Sequence, residues 1–250
     1  MINVIIHGCG GKMGKVVEGL VKEDSQLTIA AGIDPRDIQT DYPVFHSVDE
    51  CTVKADVIID FSTASAIPAL LDYCVKTGTP AVLCTTGFSD ELNNQVKEAS
   101  KSVAILKSAN MSVGVNLIMN LVKKAAEALY DSGFDIEILE KHHNQKIDAP
   151  SGTAIAIADS INEALDGKLN YVYDRSQVRE KRTRDQLGIS AIRGGTIVGE
   201  HDVIFAGKDE IITLSHTALS KEIFAVGAVK AAKFLAGKPA GFYTMKEVLE

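Results

Sequence analysis

Apolar residues open the chain without alternation. Ile2, Val4, Ile5 and Ile6 lead to His7, as in a strand covered on both faces. Val16, Val17, Leu20 and Val21 then fall at helical spacing and predict a helix over residues 13–22. Further apolar runs predict strands at Leu27–Ile33, Val57–Asp60, 81–84 and 103–107, with helical segments at Ile67–Thr77 and 90–100 between them. Ser89 is placed to cap the last helix, with Asp90 and Glu91 in its first turn. Strands alternating with helices in this way predict a doubly wound, Rossmann-type parallel sheet.

The pattern changes near residue 110. A long amphipathic helix is expected over 113–131, stopped by Gly133. A strand at Asp135–His142, a polar loop and a helix over 151–165 follow. Residues 171–185 carry Arg175, Arg179, Lys181, Arg182 and Arg184 and read as an exposed, mobile segment. Three β-like runs come next, at 189–193, 196–205 and Ile211–Ala218. Helix is expected at Glu222–Leu235, broken by Gly237, Pro239 and Gly241. Clustered strands imply a second, α+β domain with a mixed sheet.

Composition narrows the function. The net charge of −7 leaves no basic surplus for nucleic acid or an anionic membrane surface, so any positive charge that binds an anionic substrate must be local. No apolar stretch reaches the roughly 18 residues of a membrane span, and the N-terminus reads as a strand, not a leader. The four cysteines, Cys9, Cys51, Cys74 and Cys84, form no Cys-x-x-Cys pair. They read as reduced thiols of a cytoplasmic protein, with a catalytic thiol as the lesser alternative.

Gly8-Cys9-Gly10-Gly11-Lys12-Met13-Gly14 follows a strand and opens a helix. Such glycines permit a tight turn and close approach of backbone to a pyrophosphate at the helix N-terminus. The match to G-x-G-x-x-G is imperfect, because Met13 holds the last glycine's place and Gly14 follows it. Asp34 ends the next strand, where a carboxylate can bond both ribose hydroxyls. Its charge favours NADH over NADPH, while Lys12 and Arg36 are near enough to pair with a 2′-phosphate. Both cofactors are expected to work, with NADH somewhat preferred. Asp60-Phe61-Ser62-Thr63, Thr85-Thr86-Gly87 and Ser108-Ala109-Asn110-Met111 follow the third, fourth and fifth strands, at the carboxyl edge where such sheets bind ligands.

The densest chemistry lies in Glu140-Lys141-His142-His143-Asn144-Gln145-Lys146-Ile147-Asp148-Ala149-Pro150-Ser151-Gly152-Thr153. Ser151 is placed as an N-cap, and the Gly152 and Thr153 amides open the helix as a carboxylate site. Lys146 adds a full positive charge, and the histidines titrate near neutrality. Adjacent strand residues face opposite ways, so one of His142 and His143 serves a site unless the strand has ended. A metal held by His142, His143, His201 and His216 is the competing reading, but no zinc-type spacing supports it.

These runs, with Cys84-Thr85-Thr86-Gly87-Phe88, Ala109–Asn116 as numbered 109–116, and Gly195-Thr196-Ile197-Val198-Gly199-Glu200-His201, resemble the 4-hydroxy-tetrahydrodipicolinate reductase family over nearly the whole chain. Cys84 stands where glycine is frequent in that family, and Met111 where an aromatic is; neither changes a chemical group. The resemblance implies an NAD(P)H-dependent oxidoreductase of the diaminopimelate route to lysine, acting on a small cyclic imine with two carboxylates. It implies that Gly8, Cys9, Gly10, Gly11, Lys12 and Met13, with Asp34, hold the dinucleotide. Cys84, Thr85, Thr86, Ser108, Ala109, Asn110 and Met111 would contact its nicotinamide half. His142 is similar to the proton donor/acceptor, and Lys146 to a second proton donor. His143, Gly152 and Thr153 would bind substrate carboxylates. It also implies a homotetramer joined through the second domain, and a C-terminal segment that returns to the first. The domains are then 1–112 with 222–250, for the dinucleotide, and 113–221, for substrate and assembly. Two other readings compete: a dehydrogenase for another aspartate-derived acid, and a redox-sensing module that binds NAD(H) without catalysis. The second leaves the His142–Lys146 cluster without a role.

Overall fold

The computed structural model describes all 250 residues. In chain order the elements are β1 (Ile2–His7), α1 (Lys12–Glu23), β2 (Leu27–Ile33), β3 (Val44–Phe45), β4 (Val57–Asp60), α2 (Ile67–Thr77), β5 (Ala81–Leu83), α3 (Asp90–Ala99), β6 (Ala104–Lys107), α4 (Val113–Leu129), β7 (Asp135–His142), α5 (Gly152–Ala164), β8 (Asn170–Val172), β9 (Gln186–Arg193), β10 (Gly199–Ala206), β11 (Ile211–Ala218), α6 (Glu222–Leu235), β12 (Gly241–Tyr243) and α7 (Met245–Leu249). The chain divides into two compact units, Met1–Val113 with Glu222–Glu250, and Gly114–Lys221. No helix is long and apolar enough to cross a membrane.

The first unit is a seven-stranded sheet in the order β12-β6-β5-β4-β1-β2-β3, parallel throughout. Its strands are apolar on both faces because both are covered. Val4, Ile6, Ile59, Val82 and Leu106 pack with α1 and α6 on one side. Ile5, Ile58, Leu83 and Ile105 pack with α2 and α3 on the other. The order reverses at β1, which has β2 on one side and β4 on the other, and ligands bind at the carboxyl edge of such a switch point.

The second unit is a mixed five-stranded sheet in the order β11-β10-β7-β9-β8. β10 pairs antiparallel with β7 and β11, while β9 pairs parallel with β7 and β8. One face is covered by α4 and α5 through Ile118, Val122, Ile157 and Ile161 against Ile136, Ile138, Val203 and Phe205. Along β7 burial alternates strictly, so Glu140 and His142 share the covered face with Ile136 and Ile138. The opposite face carries Lys141, which pairs with Glu200 and Asp202, and half-exposed or exposed apolar residues such as Ile192 and Ile211.

The structure departs from the sequence pattern in several places. β3, β8 and β12 are two- or three-residue strands that the pattern does not announce. β12 lies where glycine and proline read only as a break, and it adds to the sheet edge beside β6. α7 follows it, opened by a capping box between Thr244 and Glu247. Residues 171–185 are largely exposed but fastened. Arg175 pairs with Glu137 at 3.1 Å, and Arg182 pairs with both Asp135 and Glu137.

Candidate active-site groups

In the first unit, the turn after β1 is shaped by backbone contacts that leave no room for side chains. Gly8 has φ +83°, and a Cβ there would lie 2.6 Å from the Phe61 carbonyl oxygen. A Cβ on Gly14 would lie 2.2 Å from the Gly8 carbonyl oxygen, so α1 starts flush against the turn. Gly11 is its N-cap and offers no side-chain acceptor, and its first turn holds no acid. That first turn is therefore suited to an anion, as a dinucleotide pyrophosphate requires. Cys9 is a core residue. Burial, then the charge of Asp34, push its thiol up to about 11, so it carries no thiolate.

Asp34 is buried and accepts the Gly10 N–H at 3.0 Å. Arg36 grips the same carboxylate with Nε at 2.8 Å and Nη2 at 3.0 Å. Those bonds hold the Asp34 carboxyl below its ordinary range in spite of burial. The Arg36 side chain is 64% exposed, free to leave the carboxylate for a ligand. A cavity of about 370 Å³ adjoins them, lined among others by Gly8, Gly11, Phe61 and Thr63. Glycine turn, uncapped helix, buried acid and cavity together fit a dinucleotide. Beside them His7 and Asp60 face each other at 2.9 Å, with the Asp60 carboxylate also accepting the Ser62 hydroxyl; the two end neighbouring strands, so no local motif pairs them.

The other expected cofactor contacts line the same strand edge. Cys84 and Thr85 follow β5, where Thr85 is buried with no partner for its hydroxyl, and Thr86 is exposed. After β6, Ala109 is exposed, Asn110 Oδ1 accepts the Ser112 N–H, and Ser108 Oγ accepts the Met245 N–H that opens α7. Met111 packs in the core and its carbonyl abuts Gly227. Lys12 and Met13 begin α1, Lys12 exposed and Met13 half-buried.

In the second unit, the covered face of the sheet turns polar at one end. Glu140 is fully buried and accepts four hydrogen bonds. Oε1 takes the Ser151 N–H (2.9 Å) and Arg193 Nη2 (2.7 Å); Oε2 takes Arg193 Nη1 (2.7 Å) and His142 Nδ1 (2.7 Å). Burial pushes the Glu140 carboxyl up, but the bonds from Arg193, His142 and Ser151 prevail and leave it below its ordinary value. All four acceptor sites of an ionised carboxylate are thus used. His142 must therefore donate from Nδ1, which leaves Nε2 as the nitrogen outside that bond. A Cβ on Gly199 would come within 3.0 Å of that Nε2, and its absence keeps the nitrogen open.

β7 ends at His142, so His143 and Lys146 belong to the loop that follows. Asn144 N–H reaches the Gly195 carbonyl at 3.2 Å, and Gly194 N–H reaches the His142 carbonyl at 2.9 Å. Lys146 Nζ pairs with the Asp148 carboxylate at 2.8 Å, and this bond holds the Asp148 carboxyl low. Ser151 caps α5 by accepting the Ala154 N–H, so its own proton is directed to His201 Nε2 at 2.9 Å. Burial, then the nearby His142, lower His201 to about 4; it is a neutral neighbour, edge-on to His142 with centroids 5.2 Å apart. Gly152 is exposed and Thr153 half-buried at the start of α5. His142, Lys146, Gly152 and Thr153 are thus carried by one strand end, loop and helix start. No group of three or more His, Cys, Asp or Glu side chains is arranged to hold a metal ion.

Two family models cover the chain: "Dihydrodipicolinate reductase, N-terminus" matches residues 2–111, and "Dihydrodipicolinate reductase, C-terminus" matches residues 114–249. A protein of Caldanaerobacter subterraneus named 4-hydroxy-tetrahydrodipicolinate reductase is 54% identical over 250 residues, covering 100% of this chain and 99% of the relative. A protein of the same name from Clostridium tetani is 49% identical, covering 98% and 96%. Among solved structures, a dipicolinate-bound dihydrodipicolinate reductase from Paenisporosarcina sp. TG-14 superposes with a TM-score of 0.82 at 25% identity, covering 98% of this chain and 97% of that one. An aspartate dehydrogenase from Thermotoga maritima, 13% identical with a TM-score of 0.52, shares the fold alone.

Proposed function

The chain belongs to the dihydrodipicolinate reductase family and is an NAD(P)H-dependent oxidoreductase, and from that premise we propose how its own residues divide the reaction. The reaction is reduction of the dihydrodipicolinate precursor to tetrahydrodipicolinate in the diaminopimelate route. The nicotinamide supplies the hydride.

The glycine turn, residues 8–13, and Asp34 hold the dinucleotide. The Cys84–Thr86 and Ser108–Met111 segments, numbered 84–86 and 108–111, line its nicotinamide half, the latter through Ala109, Asn110 and the main chain. NADH is preferred, because the buried Asp34 carboxylate disfavours a 2′-phosphate; Arg36 can rise from Asp34 to meet that phosphate, so NADPH also serves. In the second unit His142 exchanges a proton at Nε2, and Lys146 is a second donor whose charge takes a substrate carboxylate in place of Asp148. His143 and the Gly152 and Thr153 amides bind carboxylates at the start of α5. The observation that carries this reading is the Glu140-bound His142, directed by a saturated buried carboxylate and followed in one loop by Lys146. A homotetramer built on the uncovered face of the five-stranded sheet completes the proposal.

The test couples the purified protein to the synthase that makes the unstable substrate, and follows loss of NADH absorbance. Turnover there, and none with aspartate-derived acids such as aspartate itself, supports the reading. NADH binding without turnover would overturn it in favour of a sensing module.

A further inference from the structure

Arg193 has no part in the roles assigned above, yet its guanidinium touches both halves of the proton-handling machinery. Nη1 and Nη2 grip the two Glu140 oxygens at 2.7 Å each, and Glu140 in turn accepts His142 Nδ1. The same Nη2 donates to the Asp148 carbonyl at 2.6 Å, two residues beyond Lys146. We propose that Arg193 is a positioning residue for both groups: through Glu140 it fixes His142 with its proton on Nδ1, and through the Asp148 carbonyl it fixes the loop that carries Lys146. The inference rests on the roles assigned to His142 and Lys146 above.

The physical case starts from Glu140, which is fully buried. A buried carboxylate persists only if its charge is matched. Arg193 supplies that match with two parallel bonds, the geometry of a planar guanidinium that a lysine cannot reproduce. Remove it, and His142 becomes the only titratable partner left to Glu140. The imidazole would then be held as its cation and would give up its proton less readily. The other groups near His142 do not replace Arg193. His201 on β10 is engaged with Ser151 and lies below its ordinary pKa through burial; His216 on β11 is likewise lowered by burial; Lys146 is paired with Asp148. Arg193 therefore sets both which nitrogen of His142 is free and what charge the pair carries.

The test begins with the unmodified protein. Nitrogen-15 NMR of its histidines should show the neutral form of His142 protonated at Nδ1 and bare at Nε2; the opposite tautomer overturns the proposal. Arg193→Ala, confirmed as folded by circular dichroism, should lower kcat by about 10–100-fold, by analogy with the loss of the hydrogen-bond partner that orients a metal-ligating histidine. Its NADH dissociation constant should not move, and the alkaline limb of its kcat profile should shift to higher pH. Added guanidinium should restore several-fold of the lost rate, whereas sodium chloride at equal ionic strength should not. Arg193→Lys should stay impaired. A kcat within twofold of the parent for either variant, or rescue by salt alone, overturns the proposal. If Arg193→Ala does not fold, the tautomer and Arg193→Lys decide. Should His142→Gln turn over at the parent rate, the assignment beneath the proposal fails, and the tautomer measurement still judges whether Glu140 and Arg193 fix the ring.

Discussion

Two glycines of α1 offer the same substitution with opposite expected signs. Alanine in place of glycine inside a helix is worth about 1 kcal/mol. At Gly19 an added Cβ meets nothing within 4 Å, so Gly19→Ala should gain most of that. At Gly14 the Cβ would lie 2.2 Å from the Gly8 oxygen, 2.8 Å from Cys9 Cα and 2.9 Å from the Gly8 carbonyl carbon, all inside the 3.0 Å that real Cβ atoms keep. None of these atoms can swing aside. Gly8 is anchored by its N–H to the Ile33 carbonyl at 2.7 Å, and its own carbonyl accepts the Gly11 N–H at 3.0 Å. The helix must therefore back away by most of an ångström. Overpacking of this kind costs about 1–3 kcal/mol, which offsets or exceeds the propensity gain. The same retreat carries the first helical amides off the pyrophosphate, and each charge-assisted bond lost costs about 1.5–3 kcal/mol. Gly14→Ala should therefore weaken NADH by at least tenfold, while Gly19→Ala binds as the parent does. Fluorescence titration with NADH and thermal melts of both variants provide the measurement. Equal affinity in Gly14→Ala, or melting shifts of the same sign in both, would refute the close-approach argument.

Asp34→Ala should weaken NADH more than NADPH, by about 1.5–3 kcal/mol; an unchanged ratio of the two dissociation constants removes Asp34 from the ribose. Lys146→Ala and His142→Gln should each cut the rate by about 10²–10⁴-fold with NADH binding intact, Lys146→Ala also raising KM; steady-state kinetics decide this. His201, at about 4 when folded against an ordinary 6.5, contributes stability that is complete above about pH 6.5 and is lost as pH falls through 4. At 1.36 kcal/mol per unit that amounts to about 3 kcal/mol at most. Urea midpoints between pH 7 and 4 should fall more steeply for the parent than for His201→Gln, and equal slopes would contradict the assignment. Light scattering should report a tetramer; a monomer at micromolar concentration would contradict assembly through the sheet.

Sequence patterns locate the strands buried on both faces closely. β1, β2 and β4 coincide with their apolar runs, which only Asn3 and Thr28 interrupt before the ligand edge. Strands β3, β8 and β12 are invisible to the same reasoning, since two or three residues are held as strands by a neighbour's hydrogen bonds, which no local pattern encodes. α7 is different: Thr244 and Glu247 stand in the order of a capping box, and only its shortness hides it. The chemical run at 140–153 is legible because its groups are close in sequence. Arg193 and His201 are not, since they reach it across 53 and 50 residues. One signal does exist. Glu140 occupies an inward position of β7, where a carboxylate demands a partner, and Arg193 sits on the neighbouring strand β9, opposite His142.

The discontinuity of the first unit has a consequence for how the protein is made. Ala225, Ala228, Ala231, Ala232 and Leu235 on α6 are fully buried in the same core as Val4, Ile6 and Val17. A nascent chain carries β1 to β6 long before α6 is synthesised. Through that interval α1 alone covers this face of the sheet, and apolar faces left partly exposed in this way invite aggregation. The second unit is continuous in the chain and can complete its own core first, although its residues are made later. The first unit's core therefore waits on residues made after the whole of the second unit, and the protein's demand on chaperones should fall on its earliest-made hundred or so residues.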